Sequence, residues 1–253
     1  VSNKWLKAGY GSKLRKFLPL LRQRWFSHLD LSEYDVVISS SGNGEARFAK
    51  VAKPALHISY THTPTHFYYR KYNSYIKNPG IKPAWLARLG LRILVRPLRK
   101  RDQRAASKVD HFVANSQHTA DDIQTYYGRE SVVIHPPVDT ARFFAASKLK
   151  PSTTEPSLVM WGRLVPYKRF DLAVEACNQL HRRLVVIGDG PEADRLRHMA
   201  KLTIQFLGRA PDEELEQTAT DATAFLFPGE EDFGIAPVEA LASGVPVIAY
   251  RSG

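Results

Sequence analysis

From residue 156 onward, short apolar runs alternate with longer stretches of mixed polarity. The runs at 158–161, 184–187, 204–207, 224–227 and 245–250 are rich in β-branched residues and too short for helices, so they predict buried strands. The gaps hold helical stretches at 170–180, 192–200, 212–220 and 235–243. Strand and helix in regular alternation imply a parallel sheet covered on both faces, which is a doubly wound α/β domain.

The first half carries weaker traces of the same plan, with strand candidates at 35–39, 55–60, 111–114 and 131–135 and longer helices between them. Pro136 and Pro137 close the last of these strands, and the polar stretch 148–156, with its Ser, Thr and Pro, reads as a linker. The expected division is therefore residues 1–150 and residues 151–253. Within the first half, 85–104 is apolar and basic together: Leu86, Leu89, Ile93, Leu94 and Leu98 stand among Arg88, Arg92, Arg96, Arg99, Lys100 and Arg101. Pro97 is expected to kink this helix. Two readings stay open for it: a surface helix with one face on the core and its arginines in water, or an interfacial helix on a membrane.

Composition sharpens the class. A hydrophobic share of 43% and a charged share of 24% are ordinary for a globular protein, and 253 residues suffice for two domains. Cys177, the single cysteine, falls in a helical stretch where it reads as a small buried apolar residue, which fits a reducing compartment. No apolar run approaches the roughly 18–20 residues of a membrane span, and residues 1–10 lack the apolar core of a signal peptide, so a cytoplasmic chain is expected. The chain starts with Val and stops just after the strand-like run 245–250, so both ends look cut. Its net charge of +11 conceals a split. Residues 1–150 carry 26 Lys and Arg against 10 Asp and Glu, a net +16, whereas residues 151–253 carry 10 against 15, a net −5. A basic first half points to an anionic partner such as a membrane surface, a lipid phosphate or nucleic acid.

Candidate chemistry concentrates where the second-half strands end. Glu230-Glu231-Asp232-Phe233-Gly234-Ile235-Ala236-Pro237-Val238-Glu239 follows one strand and runs into a helix. Gly234 permits close backbone approach, and the N–H groups of Phe233, Gly234, Ile235 and Ala236 at a helix N-terminus favour an anion. The loop thus suits a diphosphate with a sugar attached, Glu239 accepting from ribose hydroxyls and Glu231 from sugar hydroxyls. The same residues also read as an ordinary acidic helix start. Gly162-Arg163-Leu164-Val165-Pro166-Tyr167-Lys168-Arg169 follows the first strand of this half. There Arg163 and Lys168 can neutralise charge on a departing diphosphate, although two cations also suit a solvated loop. Gly188-Asp189-Gly190-Pro191 ends the next strand at the same sheet edge and is too short to specify a ligand alone.

In order and spacing, Gly162 to Lys168, the Gly188 to Pro191 turn, Phe206-Leu207-Gly208 and the Glu231 to Ala240 run resemble the donor half of glycosyltransferase family 4. In the first half, Tyr60-Thr61-His62-Thr63-Pro64, Arg101-Asp102 and Val109-Asp110-His111-Phe112-Val113-Ala114-Asn115-Ser116 resemble a mannosyltransferase-like subgroup of that family. The resemblance implies an α/β chain of GT-B fold, with two Rossmann-like doubly wound domains facing a cleft. It also implies a retaining hexosyltransferase that moves a sugar, mannose favoured, from a nucleotide diphosphate sugar to a saccharide or lipid-linked acceptor. Arg163 and Lys168 would bind the donor diphosphate, Glu231 the sugar and Glu239 the ribose. Gly162, Gly188, Gly190, Phe233, Gly234, Ile235, Ala236 and Ser116 would complete the donor surface. His62 would face the reacting centre, its other reading being a loop histidine satisfied by backbone.

No cofactor and no bound metal are expected, the donor, GDP-mannose favoured, being a substrate. His57, His62 and His66 straddle a strand end and a loop and are not expected to form a metal site. Family members begin with a strand and glycine-rich loop that have no counterpart before Val1, so the first domain is expected to be incomplete, and the second truncated after Gly253. Two rivals remain. A sugar-nucleotide epimerase would share the fold, and a nucleic-acid binder would use Tyr68, Tyr69, Tyr72 and Tyr75 with Arg70, Lys71 and Lys77. The latter leaves the second-half loops unexplained, so no nucleic-acid partner is expected. The expected location is cytoplasmic, with an anionic membrane surface as a further candidate partner and a peripheral position on the inner face of the cytoplasmic membrane.

Overall fold

A computed structural model describes residues 19–42, 44–77, 83–146, 148 and 156–252. The chain divides after His135 into two compact units. The sequence places the division near residue 150. Apart from Lys148 and Pro156, the linker read at 148–156 lies outside the described residues, as do residues 1–10 and Gly253.

The first unit holds a four-stranded sheet of β1 (Val36–Ser41), β2 (Leu56–Thr61), β3 (His111–Ala114) and β4 (Ser131–Val133), ordered as in sequence and parallel throughout. Its helices are α1 (Pro19–Phe26), α2 (Tyr72–Lys77), α3 (Ala84–Ala106) and α4 (Gln117–Tyr127). Ala106, Val109, Phe112, Ala114 and Ile123 form its apolar core. Ser116 caps α4 by accepting from the Thr119 N–H, and Gly128, at φ 63°, ends it in the left-handed conformation. The inward positions of β1 and β2 are Ser39, His57, Ser59 and Thr61, all buried, while Val36, Ile38 and Leu56 are exposed. Here the usual assignment of apolar residues to the core is inverted. Buried polar groups take its place: His57 Nε2 meets Ser39 Oγ at 3.0 Å, and Ser59 and Thr61 pair at 3.2 Å.

The second unit holds β5 (Ser157–Trp161), β6 (Leu184–Ile187), β7 (Ile204–Gly208), β8 (Ala222–Phe227) and β9 (Val247–Ala249) in the order β7-β6-β5-β8-β9, all parallel. Its helices are α5 (Thr140–Ala146), α6 (Phe170–Leu180), α7 (Ala193–Met199), α8 (Asp212–Thr220) and α9 (Ile235–Ala242). Successive strand residues point to opposite faces, so two cores form. On one face, Met160, Leu184 and Val186 pack with Phe170, Val174 and Cys177 of α6 and Leu196 of α7. On the other, Val159, Trp161, Val185, Ile187 and Phe225 pack with Ala219 of α8 and Ala240 of α9. This is the doubly wound domain that the alternation predicts, and Cys177 is buried within it as a small apolar residue. Burial pushes its thiol pKa up. The chain runs outward from β5 to β7 and then returns to the other side of β5, so strand order reverses between β5 and β8. The loops after those two strands flank the crevice where ligands bind in open parallel sheets.

Candidate functional site

Backbone bonds between neighbouring loops build the carboxyl edge of the second sheet. The Gly162 N–H donates to Ile187 O at 3.0 Å, the Leu164 N–H to Asp189 O at 3.0 Å, and the Glu192 N–H to Leu164 O at 3.1 Å. The loops after β5 and β6 are thereby tied into one surface. Gly188 sits at φ 132°, and a Cβ there would come 1.9 Å from Gly162 O, so this crossing tolerates no side chain. Gly162, Arg163, Gly188, Asp189, Gly190 and Arg209 line a concavity of about 430 Å³ at this edge. Asp189 accepts from the Gly190 N–H at 2.7 Å, and its other carboxylate oxygen lies 3.8 Å from Arg209 Nε.

On the β8 side of the crevice the loop from β5 meets the loop that leads into α9. Lys168, in a single 3₁₀ turn (Pro166–Lys168), pairs through Nζ with Glu231 Oε1 at 2.9 Å, both side chains about four-fifths buried. A Cβ on Gly162 would lie 3.5 Å from the same Nζ, so the ammonium stands at the rim of the Arg163 concavity. Gly229 allows this meeting, since a Cβ there would fall 2.6 Å from Lys168 Cα. Gly234, at φ 81°, turns the chain into α9, whose first turn contains Ile235 and Ala236 with Phe233 just before. Glu239, one turn further, accepts from Trp161 Nε1 at 2.8 Å. Trp161 is itself held against Phe225 at 4.3 Å and Phe143 at 6.4 Å between ring centroids.

Gly162, Arg163, Lys168, Gly188, Gly190, Glu231, Phe233, Gly234, Ile235, Ala236 and Glu239 therefore belong to one edge of one sheet. It offers cations, a helix N-terminus and two oriented carboxylates, a set that can hold a diphosphate flanked by two hydroxylated rings. The other two sequence-derived residues belong to the first unit, at the carboxyl ends of β2 and β3. His62 is exposed, its Nε2 2.9 Å from Ser40 Oγ and its ring edge-on to Tyr60. Ser116 is buried as the α4 cap, and the Thr119 hydroxyl beside it donates to His62 O at 3.2 Å. His57 is taken up by its bond to Ser39, and burial holds its pKa below the usual histidine value.

Sequence reasoning passed over Trp161, Arg209 and Gly229. The one local signal was a tryptophan, with its N–H donor, as the last residue of a buried strand.

Residues 5–142 match the model of Glycosyltransferase Family 4, and residues 142–253 match that of glycosyl transferases group 1. The chain is 30% identical over 178 residues to a GDP-mannose-dependent monoacylated alpha-(1-6)-phosphatidylinositol monomannoside mannosyltransferase of Corynebacterium glutamicum, covering 60% of this chain and 47% of that one. A GDP-mannose-dependent alpha-mannosyltransferase of the same organism is 41% identical over 93 residues, 36% of this chain and 22% of that one. The chain thus spans about half the length, or less, of these curated relatives. Among solved structures, sucrose-phosphate synthase from Thermosynechococcus elongatus superposes with a TM-score of 0.62 at 17% identity, over 95% of this chain and 62% of that one. A glycosyltransferase involved in avilamycin A biosynthesis superposes with a TM-score of 0.54 at 22% identity, over 93% and 60%. Both likenesses are of fold, the α/β GT-B fold with its parallel sheets. With the family 4 model matched over more than half its residues and the group 1 model over the remainder, the chain belongs to glycosyltransferase family 4.

Proposed function

We propose that this chain carries the donor site of a retaining hexosyltransferase that takes mannose from GDP-mannose and transfers it to a saccharide or lipid-linked acceptor. The observation that carries the reading is the Lys168–Glu231 ion pair at the β5/β8 reversal, beside the Arg163 concavity and with Glu239 held by Trp161 at the end of β5. In the bound state Arg163, Lys168 and the α9 N-terminus oppose the diphosphate. Negative charge on the leaving oxygen grows as the glycosidic bond breaks, so these groups bind the transition state more tightly than the ground state. Glu231 accepts from sugar hydroxyls, and its ion pair keeps Lys168 next to the bond that breaks. Glu239, oriented by the Trp161 indole, accepts from the ribose, and no metal or cofactor is required. The choice of GDP-mannose and of a lipid-linked acceptor is supported by relatives named for that donor and for a phosphatidylinositol mannoside.

The test is a transfer and donor-hydrolysis screen of the protein with GDP-mannose, UDP-glucose and UDP-N-acetylglucosamine, with and without EDTA. The anomeric configuration of the product is read by NMR. Turnover of GDP-mannose with retention and insensitivity to EDTA is expected. Inversion, an absolute metal requirement, or interconversion of the nucleotide sugar without transfer would refute the reading, the last pointing to an epimerase.

A further inference from the structure

Helix α3 is built inside out over its first three turns. The half-buried positions there are Ala84, Ala87, Gly90 and Leu91, three of them small. The bulky apolar residues point away: Trp85 is 65% exposed, Ile93 62%, and Leu86, Leu89 and Leu94 are exposed too. In the second half the pattern returns to normal, with Val95, Leu98, Asp102, Ala105 and Ala106 buried against the unit. The helix runs through Pro97, so the anchored half holds the outward half in place. Arg88 ties that outward half to α2 through the carbonyls of Ile76 and Lys77, at 3.0 and 3.1 Å.

The outward line continues with a change of chemistry. Leu86, Leu89, Ile93, Arg96, Lys100 and Arg104 recur at three- or four-residue spacing and so lie on one face. That face is apolar for about 10 Å along the axis, from Leu86 to Ile93, and cationic beyond. From Ala84 to Arg101 the helix carries six cations and no acid, and its one acid, Asp102, is buried.

We propose that this face of α3 docks on an anionic phospholipid bilayer. Trp85, Leu86, Leu89 and Ile93 enter the boundary of the acyl chains, and Arg96, Lys100 and Arg104 lie along the charged headgroups. Contiguous exposed apolar side chains followed by cations match a surface that is itself an apolar layer under a negative one. A second copy of this chain would set like charges against each other. A nucleic-acid strand would find Trp85 as the face's single aromatic platform among leucines and isoleucine.

The experiment is flotation of the protein with vesicles of phosphatidylcholine, alone or mixed with phosphatidylglycerol, at low and high salt. Enrichment with the mixed vesicles is expected, reduced by salt. Leu89→Glu with Ile93→Glu should lower partitioning by roughly tenfold or more. Arg96→Gln with Lys100→Gln should lower it by roughly fivefold for each cation removed. All four side chains are exposed, so melting curves should match the parent's. The parent's preference for anionic over neutral vesicles tests the proposal without any variant. Equal partitioning into both vesicles, or parental partitioning of both variants, overturns it. So does a finding that the same residues control dimerisation or oligonucleotide binding while vesicles are ignored.

Discussion

At the scale of single residues, the Lys168–Glu231 pair joins two roles that the sequence reading assigned separately. A purely structural pair would lose stability when either partner is removed and leave turnover alone. If the ammonium instead opposes the leaving diphosphate, Lys168→Ala and Arg163→Ala should each lower kcat by roughly 10²–10³, the usual cost of deleting one preorganised electrostatic contact. Steady-state kinetics with GDP-mannose decides between them, and unchanged kcat in both variants would leave only the structural role. Trp161 offers a finer test. Trp161→Phe keeps an aromatic ring against Phe225 and removes the bond to Glu239. With its orienting donor gone, Glu239 should hold ribose less well, so donor KM should rise while kcat changes less, and Glu239→Gln should shift KM in the same direction. Neither contact was visible along the chain, because each joins residues more than 60 positions apart that meet only when β8 inserts beside β5.

At the scale of elements, α3 is held to the first unit by a polar knot. Buried Asp102 accepts from Arg47 at 3.1 Å, Tyr69 at 3.1 Å and Tyr127 at 2.8 Å, and Arg47 is equally buried. The donors come from the 3₁₀ turn Glu45–Phe48, the loop after β2 and the end of α4, so one carboxylate fastens three segments to the helix. Asp102→Ala strands a buried guanidinium and two hydroxyls and should cost about 3–5 kcal/mol. Urea unfolding monitored by circular dichroism checks this, and a change within about 0.5 kcal/mol would mean that the knot is not structural. In the sequence Asp102 showed only as part of an Arg-Asp dipeptide. Its burial depends on Arg47, 55 residues away, being buried opposite it.

For the whole molecule, the buried tyrosines around Asp102 set a limit on alkaline stability. Burial, with the Asp102 charge next, pushes the Tyr68 hydroxyl up to about 12, and Tyr69 and Tyr127 are raised as well. An unfolded tyrosine titrates near 10, so above that pH the unfolded chain sheds protons that the folded chain keeps. The stabilisation is complete below about pH 10 and drains away as pH rises toward 12. Urea midpoints should therefore fall steeply from about pH 10 upward, and less steeply in Tyr68→Phe, which has no proton to lose there. An equal slope in the variant would show that other groups govern the loss.

The second unit was legible almost to the residue. Its strands and helices are each specified by a run of neighbours, and β6, α6 and α8 fall where the pattern puts them. The motif loops were legible for the same reason, since their glycines, cations and carboxylates are local. The β1–β2 part of the first sheet was harder to read, because its buried residues are Ser39, His57, Ser59 and Thr61, and only burial distinguishes that face from a solvated one. What the sequence determined by itself was the alternation of elements and the chemistry carried at each strand end. The tertiary structure decided the strand order, and with it which strand ends become neighbours. It also decided which face of α3 is inward, because Val95, Leu98, Asp102, Ala105 and Ala106 are buried against the unit while Trp85, Leu86, Leu89 and Ile93 stay exposed. Periodicity can say that a helix has two faces, but only packing selects the face that is buried.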